Sequence, residues 1–333
     1  MNFPVSVIIP CHNAQQWLPG TLASVAAQTH KPEQVILVAD RCTDESVNIA
    51  REFDLPIQII ETDFGNAGPA RNAGVALADS QWVALLDADD HWLANHLADA
   101  ASLLHDTDHV AYCAGHRFMD NNDQPFPLPA CFWQGWAEPH TQLTDTDYVQ
   151  LMLKGMHFGH STVVYRKERF DQVAGFNPQQ VRRHDIDLWL RMIHEHHWAY
   201  HPGPAAHYRN QTPGSISRNM VEVTYYQLRA LLLNEEAYAH TDLHRMIDAY
   251  ARRAASVAFG DATGAWRDKL YEIATPKLPA NYQRAYRVMR LCPWFFKAMI
   301  WMKRQTIGRV SAAAKAKRDQ QQVDTSTPTE VSS

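Results

Sequence analysis

Apolar runs of strand length alternate with stretches of helical period through the first hundred residues. Residues 5–10 read as a strand, and Trp17, Leu18, Leu22 and Val25 then recur at helical spacing. Residues 34–39 read as a second strand, followed by a helix opened by Thr43 and Asp44. A third strand is predicted over 57–60 and a helix over 66–78. Residues 82–86 are apolar throughout, so both faces of that strand must be covered, as in a parallel sheet. Strand–helix alternation at this pitch implies right-handed crossovers. Further along, the pattern predicts a helix over 91–104, a strand over 109–114, helices near 144–154 and 184–195, and a strand near 160–165. Residues 120–140 are rich in proline and aromatics with little periodicity, which predicts a long functional loop. From Val221 onward the chain reads as helical, and after Asp319 a Gln-, Ser-, Thr- and Pro-rich tail is expected to be disordered. The expectation is an α/β fold with a mostly parallel central sheet flanked by helices and an all-helical C-terminal extension.

Composition narrows this only in places. The 333 residues, 46% of them hydrophobic, suit one large or two small domains. A net charge of −5 gives no reason to expect a nucleic-acid partner. The charge is unevenly spread, however: 283–318 holds ten Lys or Arg and no acid, which leaves about −15 on the remainder. Within that basic segment Trp294, Phe295, Phe296 and Trp301 are flanked by cations, a pattern that suits either an interfacial helix on an anionic membrane or a packed helix with a solvated basic face. The five cysteines show no metal spacing and fit reduced thiols. The first strand begins almost at once and no apolar run is long enough to span a bilayer, so the expectation is a cytoplasmic protein, peripheral at most on the inner face of the cytoplasmic membrane.

The chemistry concentrates where the 82–86 strand runs into Asp87, Asp89 and Asp90. Open α/β sheets bind ligands at the carboxyl ends of their strands. Clustered carboxylates repel unless a cation lies between them, and a divalent metal shared with phosphates suits hard oxygen ligands. Taken alone, the same turn could equally be a solvated cap on the next helix. Four further motifs follow the same order of elements: Ile8-Ile9-Pro10-Cys11-His12-Asn13, Val38-Ala39-Asp40-Arg41-Cys42-Thr43-Asp44, Asn66 to Gly74, and His184-Asp185-Ile186-Asp187-Leu188-Trp189-Leu190-Arg191. Together the five motifs resemble the family 2 glycosyltransferases, whose GT-A fold binds nucleotide-sugars, over roughly residues 3–218.

The resemblance implies a role for each position. Asp40 would accept the ring N–H of a nucleobase, because a carboxylate only accepts. Pro10, Cys11 and Asn13 would line the same pocket. Arg71, at the Gly-rich helix start, would approach the nucleotide or its phosphates, with Gly68 and Gly74 relieving crowding. Asp87, with Ala88 beside it, would hold the ribose or a metal-bound water, and Asp89, with Asp87, would bind Mn²⁺ or Mg²⁺. Asp185 would be the base that takes the acceptor hydroxyl's proton. Three departures stand out. Ala39 replaces the first of two usual acids. His184 replaces a usual Glu, which leaves it as a second base, a hydrogen-bond partner of the acceptor, or a diphosphate ligand, with activity expected to vary near the histidine titration. Gln211, after Tyr208-Arg209, replaces a usual His, with His207 as the conceivable substitute. Asp187 reads as a helix N-terminal charge.

The domains expected are a GT-A domain over 1–218, a helical region over 219–318 and a tail over 319–333. The expected activity is inverting, metal-dependent transfer of one sugar from a nucleotide-sugar, a UDP-sugar, to a glycan or lipid-linked acceptor in bacterial surface polysaccharide or lipopolysaccharide synthesis. A non-catalytic nucleotide- or sugar-binding protein and a sugar nucleotidyltransferase are the rivals, the latter lacking its Gly-rich basic loop after the first strand. The aromatic loop (Phe126, Phe132, Trp133, Trp136) suits stacking on acceptor sugars or packing in the core. His194-Glu195-His196-His197 does not have the spacing of a helical zinc motif.

Overall fold

The computed structural model describes residues 3–125, 142–156, 158–209, 219–260, 262, 264–280 and 282–284. The elements run β1 (Val5–Cys11), α1 (Leu18–Ala26), β2 (Gln34–Asp40), α2 (Ser46–Glu52), β3 (Ile57–Thr62), α3 (Ala67–Ala76), β4 (Trp82–Leu85), β5 (His91–Trp92), α4 (His96–Leu104), β6 (Ala111–Met119), α5 (Asp145–Leu153), β7 (Val163–Arg166), α6 (Lys167–Gln172), α7 (His184–Ile193), β8 (Trp198–Arg209), α8 (Met220–Leu233), α9 (Leu243–Gly260) and α10 (Gly264–Ala274).

The eight strands form one sheet in the order β3-β2-β1-β4-β7-β6-β8-β5. The strands β3, β2, β1 and β4 are parallel to one another, as the uninterrupted apolar runs predict. Every residue of β4 is buried, and β1 and β2 are buried nearly throughout, so this half supplies the core. The chain leaves β1 toward β2 on one side and returns through α3 to β4 on the other. The crevice between the carboxyl ends of β1 and β4 is therefore a topological switch point, where a ligand can enter between diverging crossovers.

The second half is mixed. Antiparallel β7 joins β4 to β6, β8 runs parallel to β6, and β5 pairs antiparallel with β8. Residues 91–92 form a strand where a helix is predicted, and that helix starts only at His96. The sequence pattern gives no sign of β8, because Pro202-Gly203-Pro204 reads as a turn. The structure absorbs these residues in a bulge: Ala114 pairs with His201 while Gly115 pairs with Pro204. A bulge tolerates prolines that a regular ladder would reject.

Two contacts explain how α3 is aimed. Gly74 lies so close to the sheet that a Cβ there would come within 2.5 Å of Ile8 Cγ2 and 2.9 Å of Val38 Cγ2. Asn72 clasps the backbone of Phe176, donating to its carbonyl (2.8 Å) and accepting from its amide (2.9 Å). The turn before Phe176 needs Gly175, which has φ +61° and a Cβ position blocked by Asn72 and Phe170.

The chain divides into compact units of residues 1–250 and 251–333. In the first, α8 is tied to the α7 region: Arg182 pairs with Glu222, and Gln180 donates to the Tyr226 carbonyl. In the second, Arg267 on α10 donates to the carbonyls of Ala258 and Ala262. No helix among the described residues is long and apolar enough to cross a membrane. The expectations for the aromatic loop, Gln211, most of the basic segment 283–318 and the tail fall outside the described residues.

Candidate active site at the carboxyl edge of the sheet

The three acids after β4 have different surroundings. Asp87 is half-buried; its amide donates to Ser161 Oγ (3.1 Å) and its carboxylate pairs with Arg71. Asp89 is half-buried too, and its carbonyl accepts from Arg209 Nε (3.0 Å). Asp90 is fully buried and turned inward, accepting from Ser161 Oγ (2.6 Å) and the Arg209 amide (2.9 Å). Burial, then the charges of Asp89 and Asp87, push its carboxyl well above the usual range. Ser161 thus bridges two of the acids, and Arg209, itself 2% exposed, braces the turn from below. The sequence marks Arg209 only through the Tyr208-Arg209 pair and gives neither residue this bracing role. Ala88 is packed in the core and its carbonyl accepts from Thr21, so its side chain does not face a ligand.

Arg71, 3% exposed, connects this turn to α7. One guanidinium nitrogen pairs with Asp87, and another lies 2.8 Å from His184 Nε2. The guanidinium carbon lies 5.7 Å from the Phe176 ring centroid. His184 is 7% exposed and stacks on His160 (centroids 4.9 Å, 17°) with Phe176 at its edge (5.6 Å, 78°). Burial, then the Arg71 charge, hold His184 well below the usual histidine range, and the same causes lower His160 to about 3. Arg71 can only donate, so the 2.8 Å contact makes His184 Nε2 an acceptor, and this contact and the lowered pKa both run against the titration near neutrality expected from the sequence.

In the first turn of α7, Asp185 is half-buried. Asp187, two residues on, is buried against Arg191 and Asn234, which makes it a packing residue. Burial, then the charges of Asp90, Asp87, Asp89 and Asp185, raise the Tyr208 hydroxyl well above its ordinary range.

Asp40 ends β2, and its carboxylate accepts from Phe64 N (2.7 Å), Asn66 N (3.2 Å) and Thr62 Oγ1 (3.2 Å). It pins the loop that caps α3, where Asn66 accepts from the Gly68 amide (3.1 Å). Three of its roughly four acceptor positions are taken. Ala39, the departure beside it, is core. Pro10 is half-buried at this edge. The Cys11 side chain, 1% exposed, points into the core near Cys42 and cannot line a pocket, so that expectation is corrected. Strand alternation turns the next residue the other way: exposed His12, which the sequence reading assigned no role, donates from Nδ1 to the Asp40 carbonyl (2.7 Å). Asn13, in the left-handed region (φ 49°), accepts from the Thr43 amide (2.8 Å) and joins the ends of β1 and β2. Gly68 has only ordinary contacts at its Cβ position, and the crowding that Gly74 relieves is with the sheet.

Asp87 and Asp89 suit a divalent ion shared with phosphates, since Mg²⁺-type sites often use one or two carboxylates plus substrate oxygens. No cluster of three or more His, Cys, Asp or Glu able to hold a metal by itself occurs among the described residues. A cleft of about 610 Å³ lined by Asp79, Ser80, Gln81 and Lys167 lies at the amino end of β4, away from these acids.

Comparison with known proteins places this arrangement. The chain is 25% identical over 218 residues, 65% of its length and 80% of the relative's, to the Escherichia coli UDP-Glc:alpha-D-GlcNAc-diphosphoundecaprenol beta-1,3-glucosyltransferase WfaP. Its fold is similar to that of S. aureus TarS in complex with UDP-GlcNAc (TM-score 0.64, 15% identity, 84% of this chain and 83% of that one). It is also similar to a Pyrobaculum calidifontis mannosyltransferase in complex with GDP-Man and Mn²⁺ (TM-score 0.53, 18% identity, 87% and 85%). These likenesses show a GT-A fold. Residues 6–174, half of the chain, match the model of Glycosyl transferase family 2 across the elements that carry Asp40, Arg71 and the Asp87–Asp90 turn, and the chain belongs to that family.

Proposed function

We propose that this glycosyltransferase moves one sugar, with inversion, from a UDP-sugar to a hydroxyl of a glycan or lipid-linked acceptor in bacterial surface polysaccharide or lipopolysaccharide synthesis. The observation that carries the reading is Arg71 at the switch point, which joins Asp87 of the acidic turn to His184, the neighbour of Asp185 at the start of α7. The undecaprenol-diphosphate-linked acceptor in the name of the E. coli relative supports the acceptor class and a place at the inner face of the cytoplasmic membrane. The basic segment 283–318 would contribute there by attraction to anionic lipid.

Asp40 would take the base N–H at its remaining acceptor position, with His12 and Pro10 beside it and Asn13 holding the strand ends. Arg71 fixes one oxygen of Asp87, which leaves the other for the ribose or for Mn²⁺ or Mg²⁺ with Asp89. That ion would neutralise charge on the departing diphosphate. The Asp185 carboxylate takes the acceptor hydroxyl proton as its oxygen bonds to the anomeric carbon. The bond from that carbon to the diphosphate oxygen breaks on the opposite face, and its electron pair leaves with the nucleotide.

The test is calorimetric binding of UDP and GDP with and without Mn²⁺, joined to turnover of a nucleotide-sugar panel. Mn²⁺-dependent UDP binding is expected, and Asp185→Asn should lower turnover by about a hundredfold to ten-thousandfold with UDP affinity unchanged. Absence of nucleotide binding in either condition, or full turnover by Asp185→Asn, rejects the reading.

A further inference from the structure

We propose that His184 is a positioning residue, a neutral imidazole whose Nε2 accepts a hydrogen bond from Arg71 and thereby fixes the guanidinium against Asp87. Its consequence for turnover rests on the function proposed above; its geometry does not.

Arg71 carries only donors, so a contact of 2.8 Å to His184 Nε2 makes that nitrogen the acceptor and places the ring's single proton on Nδ1. The imidazole then has no free lone pair with which to take a proton from an acceptor hydroxyl. A protonated ring would turn a donor toward a donor and add a second positive charge beside Arg71 and His160. The other charges near it are Asp185 and Asp87. The ring is also held in place from outside: His160 covers one face, Phe176 meets its edge, and Phe176 is clasped by Asn72, the residue after Arg71. The result is a closed circuit from α3 through Phe176 and His184 back to α3. A neutral partner orients Arg71 without neutralising it, so its charge serves Asp87 and an incoming diphosphate. Proton removal is left to Asp185.

Imidazole ¹⁵N spectra of the full chain, assigned by the resonances lost in His184→Gln, are expected to show His184 protonated on Nδ1 and unchanged between about pH 5 and 8. In turnover, His184→Ala should lower kcat/KM about tenfold to a hundredfold, chiefly through a raised KM for the nucleotide-sugar. His184→Gln, whose side-chain carbonyl can accept from Arg71, should recover to within about threefold with an unaltered pH profile. A proton on Nε2, titration of the ring within that range, or a Gln variant as impaired as Ala overturns the proposal. If no donor is turned over, the tautomer still decides the question, so the two readings fail separately.

Discussion

Asp87, Asp89 and Asp90 are neighbours in the chain, and their fates are set by what packs around them. Asp90 is enclosed between Ser161 and Arg209, whereas Asp89 remains half-buried at the site. Asp90→Ala strands a buried hydroxyl and a buried amide, each costing about 1–3 kcal/mol, so urea denaturation should show a clear loss of stability. Asp89→Asn, at a half-buried position, should lower the urea midpoint less than Asp90→Ala and abolish the gain in UDP binding from Mn²⁺, measured by calorimetry. Equal effects of the two substitutions on stability would refute this division. The sequence marks the acidic turn plainly, because an apolar strand ending in carboxylates is a local signal. It cannot say which acid faces inward, since that depends on Ser161 and Arg209, which are remote in sequence.

Among elements, α3 has the most demanding placement. Gly74 lets it lie against Ile8 and Val38, which brings Arg71 to the edge of the sheet. Gly74→Ala should cost about 1–3 kcal/mol through overpacking, partly offset by about 1 kcal/mol of helix propensity, and should weaken UDP binding as Arg71 shifts. Gly68→Ala meets only ordinary contacts, so its urea midpoint should be unchanged or slightly raised. A loss of stability as large at Gly68 as at Gly74 would contradict the close approach described here. The helix itself is visible in the sequence from its Asn66 cap and period. The strand β8 is not, because its pairing with β6 through a bulge overrides a local Pro-Gly-Pro signal.

For the molecule as a whole, buried histidines set an acid limit. Burial lowers His96 and His160 to about 3, with smaller contributions from His201 and Arg71 respectively. Both rings stay neutral in the fold while the unfolded chain takes up protons below about pH 6.5, so unfolding is favoured as pH falls toward 3. Each contributes a slope of up to about 1.4 kcal/mol per pH unit in that window. Asp90 works in the opposite sense: its raised pKa means the fold holds a proton the unfolded chain releases, so its contribution grows on acidification. Comparing His96→Phe with the parent chain isolates one histidine. Urea midpoints should fall less between about pH 7 and 5 in the variant, and identical falls would show that His96 titrates normally.

The amino-acid sequence by itself determined the parallel half of the sheet, the helices that flank it and the family motifs, because these follow from local period, apolar runs and turn chemistry. The tertiary structure decided the mixed half, the inward turn of Asp90 and Cys11, the arrival of His12 beside Asp40 and the Arg71–His184 contact. These depend on residues far apart in the chain meeting in a close-packed interior, where direction and partner are set by the surrounding elements and not by any local pattern.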